Sequence, residues 1–307
     1  MQGIVLKSTG KWYEVKGEDG DKYECQIKGK FRLKGIRTTN PIAAGDNVQF
    51  DLEDDGHGVI REIEKRKNYI IRKSVNLSHE AHIVAANLDQ AFLIATLVQP
   101  VTSTGFIDRF LVTAEAYSVP VVILFNKSDI YTEDHWELFE YYQSVYNHVG
   151  HECIPISATT GEGLERVQSK MKGKINLVSG HSGVGKSTLI NAIIPGVQIK
   201  TAEVSESHSK GVHTTTFAEM HELPEGGFII DTPGIKGFGL VDIPKEELQH
   251  YFPDIFRILP ECKFHNCLHL NEPGCAVKLA VEEGVLPEER YINYLAMYHE
   301  DEGPYRV

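Results

Sequence analysis

Long apolar runs are missing from this 307-residue chain. The longest, 91–98 and 119–125, fall well short of the roughly 18 residues that a membrane-spanning helix needs. The first residues, MQGIVLK, lack the basic-then-apolar layout of a secretory leader. The expectation is a soluble cytoplasmic protein with no membrane partner. Cysteine is scarce. There are five, an odd number, and three of them fall within 262–275. That pattern does not suggest a disulfide framework and points to metal binding instead. Positive charge is also short: 31 Lys+Arg against 43 Asp+Glu give a net charge of −12. Internal repeats and low-complexity segments are absent. Hydrophobic residues, at 41 %, suffice for a real core and exclude a disordered chain.

The acidic average hides an asymmetry. Residues 1–75 carry 15 basic and 12 acidic groups, whereas the remainder carries 16 and 31. The basic groups of the first segment cluster as Lys28, Lys30, Arg32, Lys34 and Arg37, and as Arg61, Lys65, Arg66, Lys67, Arg72 and Lys73. Such clusters can meet phosphate locally while an acidic body discourages loose binding elsewhere.

Three textures follow one another. Residues 1–70 read as five short strands, at 3–8, 11–15, 23–27, 47–52 and 59–63, separated by Gly17–Gly20, Asn40-Pro41 and Asp54-Asp55-Gly56. Five short strands suit a small closed barrel such as an OB-fold, and an SH3-like barrel would show the same pattern. From about residue 88, apolar strand-like runs alternate with helical patterns, which indicates a mostly parallel sheet covered on both faces. In the first of those helices Ile107, Phe110, Leu111 and Ala114 share one side. After Gly239 the chain turns helical and charged, ending in an acidic helix-like stretch at 288–300. The expected fold class is multidomain α/β: an N-terminal β-barrel (OB-fold) over 1–71, a P-loop domain over 72–240 and a mostly helical metal-binding domain over 241–307.

Within the α/β segment, Gly180-His181-Ser182-Gly183-Val184-Gly185-Lys186-Ser187 matches G-x-x-x-x-G-K-[ST]. A strand precedes it and Thr188 continues into a helix. The glycines let backbone N–H groups turn inward around phosphate oxygens. Lys186 adds a point charge, and the Ser187 hydroxyl is placed for Mg²⁺. Asp231-Thr232-Pro233-Gly234 closes a second apolar run. Beside a phosphate loop, Asp231 can hold Mg²⁺ through water, and the Gly234 amide can sense the γ-phosphate.

Asn126-Lys127-Ser128-Asp129 follows another strand and resembles the N-K-x-D signature of guanine-nucleotide-binding proteins. The Asp129 carboxylate can accept two hydrogen bonds from guanine, a donor pair that adenine lacks. Asn126 would brace neighbouring loops and the Lys127 stem would cover the base. Ser157-Ala158 fits the second base-side loop.

The order of these motifs is unusual. The base motif stands at 126 and 157, the phosphate loop at 180, and Asp231 comes last. The same sheet can form if the old termini are joined and new ends open after the γ-phosphate sensor, a circular permutation. Many GTPases carry Gln directly after D-x-x-G, to orient the attacking water. Here Ile235 stands there. The stretch 210–216 lies where a switch loop belongs. One of its threonines, with Thr215 the first choice, should reach Mg²⁺, and His213 is the candidate for positioning water.

Cys262-x4-Cys267-x-His269-x5-Cys275 supplies three sulfurs and one imidazole within 14 residues. Four such ligands, with none left open, describe a structural Zn²⁺ site, His265 being a competing ligand. Cys25 and Cys153 sit in strand patterns and read as core.

These motifs together resemble the circularly permuted, ribosome small-subunit-dependent GTPases (GTPase A) of bacteria. The carriers are residues 126–129, 180–188, 211–216, 231–234 and the Cys262/Cys267/His269/Cys275 set. The resemblance covers nearly the whole chain. It implies binding of GTP and GDP, hydrolysis stimulated by the small ribosomal subunit, and a role late in that subunit's maturation. It further implies contact of the barrel and zinc domain with ribosomal RNA, here the 16S rRNA. A monomer suits such a factor. Two other readings fit the residues: a regulatory GTPase acting on a protein partner, and a zinc-dependent RNA-binding module with a structural GTP. A P-loop kinase conflicts with Asp129.

Overall fold

The computed structural model describes residues 1–27, 41–73, 81–199, 218–231 and 243–300. Strands β1 (Gln2–Ser8), β2 (Tyr13–Gly17), β3 (Lys22–Ile27), β4 (Asn47–Leu52) and β5 (Gly58–Ile63) lie in the five segments that the breakers delimit. They pair in the order β1-β2-β3-β5-β4, and β4 returns to β1, so the sheet closes. The pairing of β3 with β5 is parallel and the others are antiparallel. Alternate residues of β2 are buried. Val5, Tyr13, Val15, Cys25, Val48, Phe50 and Ile60 fill the interior. Cys25 is core, as expected, and burial pushes its thiol up to about 11. Gly58 is required beside it, because a Cβ there would stand 2.3 Å from the Cys25 sulfur.

A two-stranded antiparallel sheet follows, β6 (Tyr69–Lys73) with β7 (Ala81–Ala86), and an Ala44–Ala85 bridge ties it to the barrel. The second basic cluster is partly spent internally. The Arg66 side chain is 8 % exposed, pairs with Asp46 at 2.6 Å and donates to the Pro41 carbonyl. Lys67 pairs with Asp89, and Arg61 with Asp51. This narrows the phosphate-facing surface that the sequence suggests, since a buried Arg needs its countercharge inside the fold. Lys28 to Arg37, the first cluster, lies outside the described residues.

The α/β region runs β8 (Gln90–Thr96), α1 (Thr104–Ala116), β9 (Val121–Asn126), α2 (Glu133–His148), β10 (Glu152–Ile156), α3 (Leu164–Met171), β11 (Ile175–Ser179), α4 (Lys186–Ile193), β12 (Glu219–Glu222) and β13 (Phe228–Asp231). Its strand order is β10-β9-β8-β11-β13-β12. The first five are parallel and β12 is antiparallel. Every residue of β8 and β9 is buried, as strands covered on both faces must be. Ile107, Phe110, Leu111 and Ala114 of α1 join Phe139 and Tyr146 of α2 on one face. Leu164, Val167 and Met171 of α3 join Leu189, Ile190 and Ile193 of α4 on the other. β12 also pairs with β1 of the barrel at Lys7–Glu219, so barrel and α/β region share one sheet.

The last described segment packs α5 (Pro253–Ile258), α6 (Ala276–Glu282) and α7 (Glu288–Tyr298) around Phe252, Ile255, Val277 and Tyr294. It docks on α1 through Arg290. That side chain is 2 % exposed and is held by Asp108 of α1 on one side and by Asp254 of α5, at 2.8 and 2.9 Å, on the other. Burial works against the guanidinium charge, and the two carboxylates more than restore it. No described helix is long and apolar enough to cross a membrane.

Candidate nucleotide pocket and metal centre

β11 ends at Ser179 and α4 begins at Lys186, so the glycine-rich loop turns directly from a central strand into a helix N-terminus. Gly185 has φ +96°, and a Cβ on it would stand 2.3 Å from the amide nitrogen of Asn126. Only glycine fits where the two motifs meet. Lys186 curls back over its own loop, donating to the carbonyls of Gly180 at 2.6 Å and His181 at 3.0 Å. Asp231 closes β13 in register with Val178, on the strand beside β11. Burial lowers the pKa of Lys186 and raises that of Asp231, and each charge opposes the other's shift. Ser187 and Thr188 follow on α4, both half-buried.

Asn126 ends β9 and is the brace between the loops. Its Nδ2 donates to the Val184 carbonyl at 2.7 Å, and its Oδ1 accepts from the Ala158 amide at 3.0 Å. The hydroxyl of Tyr131 holds the Asn126 carbonyl. Lys127 takes a left-handed conformation, φ +71°, and reaches across to the Gln99 carbonyl. Ser128 donates to Glu162 at 3.2 Å, and Asp129 stands exposed on the same short 3₁₀ turn. Ser157 Oγ accepts from the Thr160 amide, closing the neighbouring turn on which Ala158 sits.

The phosphate loop, residues 126–129 and the 157–158 turn therefore converge on one edge of the sheet, at the C-terminal ends of parallel strands, where open α/β sheets take ligands. His213, Thr215 and Gly234, with the rest of 210–216 and with Ile235, lie outside the described residues. Sequence reasoning passes over the support beneath the loop. Pro100 packs against Gly183, Thr102 bonds to His181, and Glu162 holds Ser128. Nothing local in the sequence says what Pro100 touches.

Cys262, Cys267, His269 and Cys275 come together as their spacing predicts, with their ligand atoms all within 4.8 Å of one another. His269 turns Nδ1 to the sulfurs of Cys275 and Cys262, at 3.4 and 3.7 Å. His265 is exposed and outside the group. Around the four, Tyr291 donates to the His269 carbonyl at 2.5 Å and Tyr294 to the Leu268 carbonyl at 2.8 Å, while Glu272 accepts the amides of Leu268 and Leu270. Burial pushes His269 down to about 4 and Cys267 up to about 12. A cation would stabilise the thiolates that burial alone opposes. Tetrahedral ligands roughly 2.3 Å from a metal stand about 3.8 Å apart, so the four donors can hold a metal ion. Cys25 and Cys153 stay apart from them and buried.

Comparisons with known proteins agree along the chain. Residues 63–241 match the RsgA GTPase family, and residues 2–60 match the RsgA N-terminal domain. A relative from Bacteroides fragilis named small ribosomal subunit biogenesis GTPase RsgA is 57 % identical over 308 residues, covering 100 % of this chain and 99 % of the relative. One of the same name from Christiangramia forsetii is 56 % identical, covering 100 % and 98 %. Among solved structures, YjeQ from Thermotoga maritima superposes with a TM-score of 0.78 at 36 % identity, covering 97 % of both chains. YloQ, described as a circularly permuted GTPase, superposes with a TM-score of 0.73 at 33 % identity, covering 97 % of this chain and 93 % of that one.

Proposed function

The chain belongs to the RsgA GTPase family of P-loop GTP hydrolases, and from that premise we propose that it assists late maturation of the small ribosomal subunit, hydrolysing GTP to GDP and phosphate with subunit-stimulated turnover. The observation that carries this reading is the Asn126 brace, which holds a guanine-type motif against the phosphate loop although the two occur in permuted order. In this reading the loop amides of 180–185, with Lys186, hold the phosphates. Asp129 reads the guanine edge, Lys127 covers the base, and Ser157 and Ala158 flank it. Gly234 senses the γ-phosphate and His213 positions the attacking water.

Ser187 and Thr215, with Asp231 through water, would hold Mg²⁺ alongside the nucleotide, and the ion would neutralise charge on the phosphates. Zn²⁺ is the ion assigned to Cys262, Cys267, His269 and Cys275, because three thiolates and an imidazole leave no open position and suit a structural tetrahedral site. The barrel (1–71) and the zinc domain (241–307) are assigned the contacts to 16S rRNA, the protein acting as a cytoplasmic monomer. With only residues 235–240 between the sensor and the last domain, hydrolysis is proposed to move that domain. GTP turnover with and without purified small subunits tests the reading. Subunits should raise the rate well above that of the protein alone, and an unchanged rate would refute subunit dependence.

A further inference from the structure

The chain path through residues 235–240 is not the sole connection between the pocket and the metal-bearing domain. Helix α1 touches both. Its N-cap, Ser103, accepts the Phe106 amide at 3.2 Å. The residues just before it lie against the phosphate loop. The Thr102 hydroxyl is 2.7 Å from His181 Nε2, and the Phe106 ring meets the His181 ring edge-on, with centroids 5.4 Å apart. Pro100 crowds Gly183, where a Cβ would stand 3.2 Å from its Cδ, closer than ordinary van der Waals contact. Two residues beyond Phe106, Asp108 is fully buried and accepts from Arg290 and, at 2.7 Å, from Asn293, both on α7. The next residue, Arg109, pairs with Glu300 at 2.6 Å.

The bonding fixes which atoms donate. The Ser182 carbonyl lies 3.1 Å from His181 Nδ1 and can only accept. Nδ1 therefore carries the proton, and Nε2 accepts from the Thr102 hydroxyl. That hydroxyl oxygen in turn accepts the Thr96 amide at 2.9 Å. Burial keeps His181 neutral by lowering its pKa, with Lys186 and Lys127 adding to the effect, and so preserves this arrangement. The start of α1 and the residue before its cap thus hold the phosphate loop with Thr102 and Phe106 and the last domain with Asp108 and Arg109.

We propose that His181 and Thr102 form a positioning pair that couples occupancy of the phosphate loop to the seating of α7 through the first turns of α1. Closing the loop around a diphosphate fixes His181, and His181 fixes Thr102 and the start of α1. The Asp108–Arg290 contact is then held in a single arrangement. The inference rests on the nucleotide reading above, and it differs from the sensor path because it responds to bound GDP against no nucleotide, rather than to GTP against GDP.

Hydrogen exchange of 288–298 in the full-length protein tests it, compared without nucleotide and at saturating GDP, with GDP binding checked by calorimetry. GDP is expected to slow exchange in α7 severalfold. Thr102→Val should abolish the GDP-dependent slowing, and Thr102→Ser, which keeps the hydroxyl, should restore it. A purely structural role for Thr102 would instead speed exchange in both states alike. Equal α7 exchange with and without GDP in the unsubstituted protein would overturn the coupling, as would full slowing in Thr102→Val. Absence of GDP binding in calorimetry would overturn the nucleotide reading itself, and the coupling with it.

Discussion

The nucleotide pocket and the cysteine–histidine centre reach order by opposite routes. The pocket is assembled by the sheet. β9, β11 and β13 deliver Asn126, the glycine loop and Asp231 to one edge, and neutral hydrogen bonds from Asn126 lock the loops together. The Asn126 brace should stand without ligand, whereas the phosphate loop closes around a diphosphate. The metal centre is assembled from short helices and turns around four donors, and burial opposes the charged forms of Cys267, Cys275 and His269 among them. The core around them is small, and two of the cysteines belong to it. Its order is therefore expected to depend on an ion held by the four donors.

The largest expected effect breaks that symmetry outright. Chelation, or Cys267→Ser, should unfold 243–300 while the α/β sheet remains. Structural zinc contributes about 10–16 kcal/mol in small domains, whereas removal of a nucleotide held at a hundred times its Kd costs about 2.7 kcal/mol. Site-resolved hydrogen exchange reads both. Loss of protection in β8, β9 and β11 as well would erase the contrast. The pocket's own weak point is next. Asn126→Ala strands the Val184 carbonyl and the Ala158 amide, about 1–3 kcal/mol for each group left unpaired. Equilibrium GDP binding should weaken tenfold or more, with little change in melting of the metal-bearing domain. The smallest effect sharpens the metal side. Tyr291→Phe removes the donor to the His269 carbonyl, worth about 1 kcal/mol. It should weaken metal retention in a competition assay with a chelator while leaving GDP binding untouched.

What could be read from residues alone follows the range of the forces involved. The barrel strands and the buried face of α1 were legible because alternation and helical spacing are local. The phosphate loop was legible because the need for glycine is also local, and the metal quartet because its ligands lie within 14 residues. The pairing of β6 with β7 was not, since neither short run names its partner. Arg66 looked like surface charge until Asp46, 20 residues away, appeared as its countercharge. Arg290 reads as one more charge in an acidic stretch, yet it is a buried anchor whose partner Asp108 is 182 residues distant. The support of His181 by Thr102 was hidden for the same reason, because only the folded sheet brings the two together. His213 and Thr215, proposed as switch residues from the sequence, lie outside the described residues.

Selectivity at Asp129 tests most directly whether these converged loops form a guanine-nucleotide pocket. Side by side, the affinities of GDP and ADP for the unsubstituted protein and for Asp129→Asn decide it. A site built to hydrogen-bond a donor pair rejects the analogue lacking it by about ten-thousandfold. ADP should therefore bind far more weakly than GDP, and Asp129→Asn should erase most of that difference by weakening GDP. Equal affinity for ADP and GDP in the unsubstituted protein, or undiminished discrimination after Asp129→Asn, would contradict it.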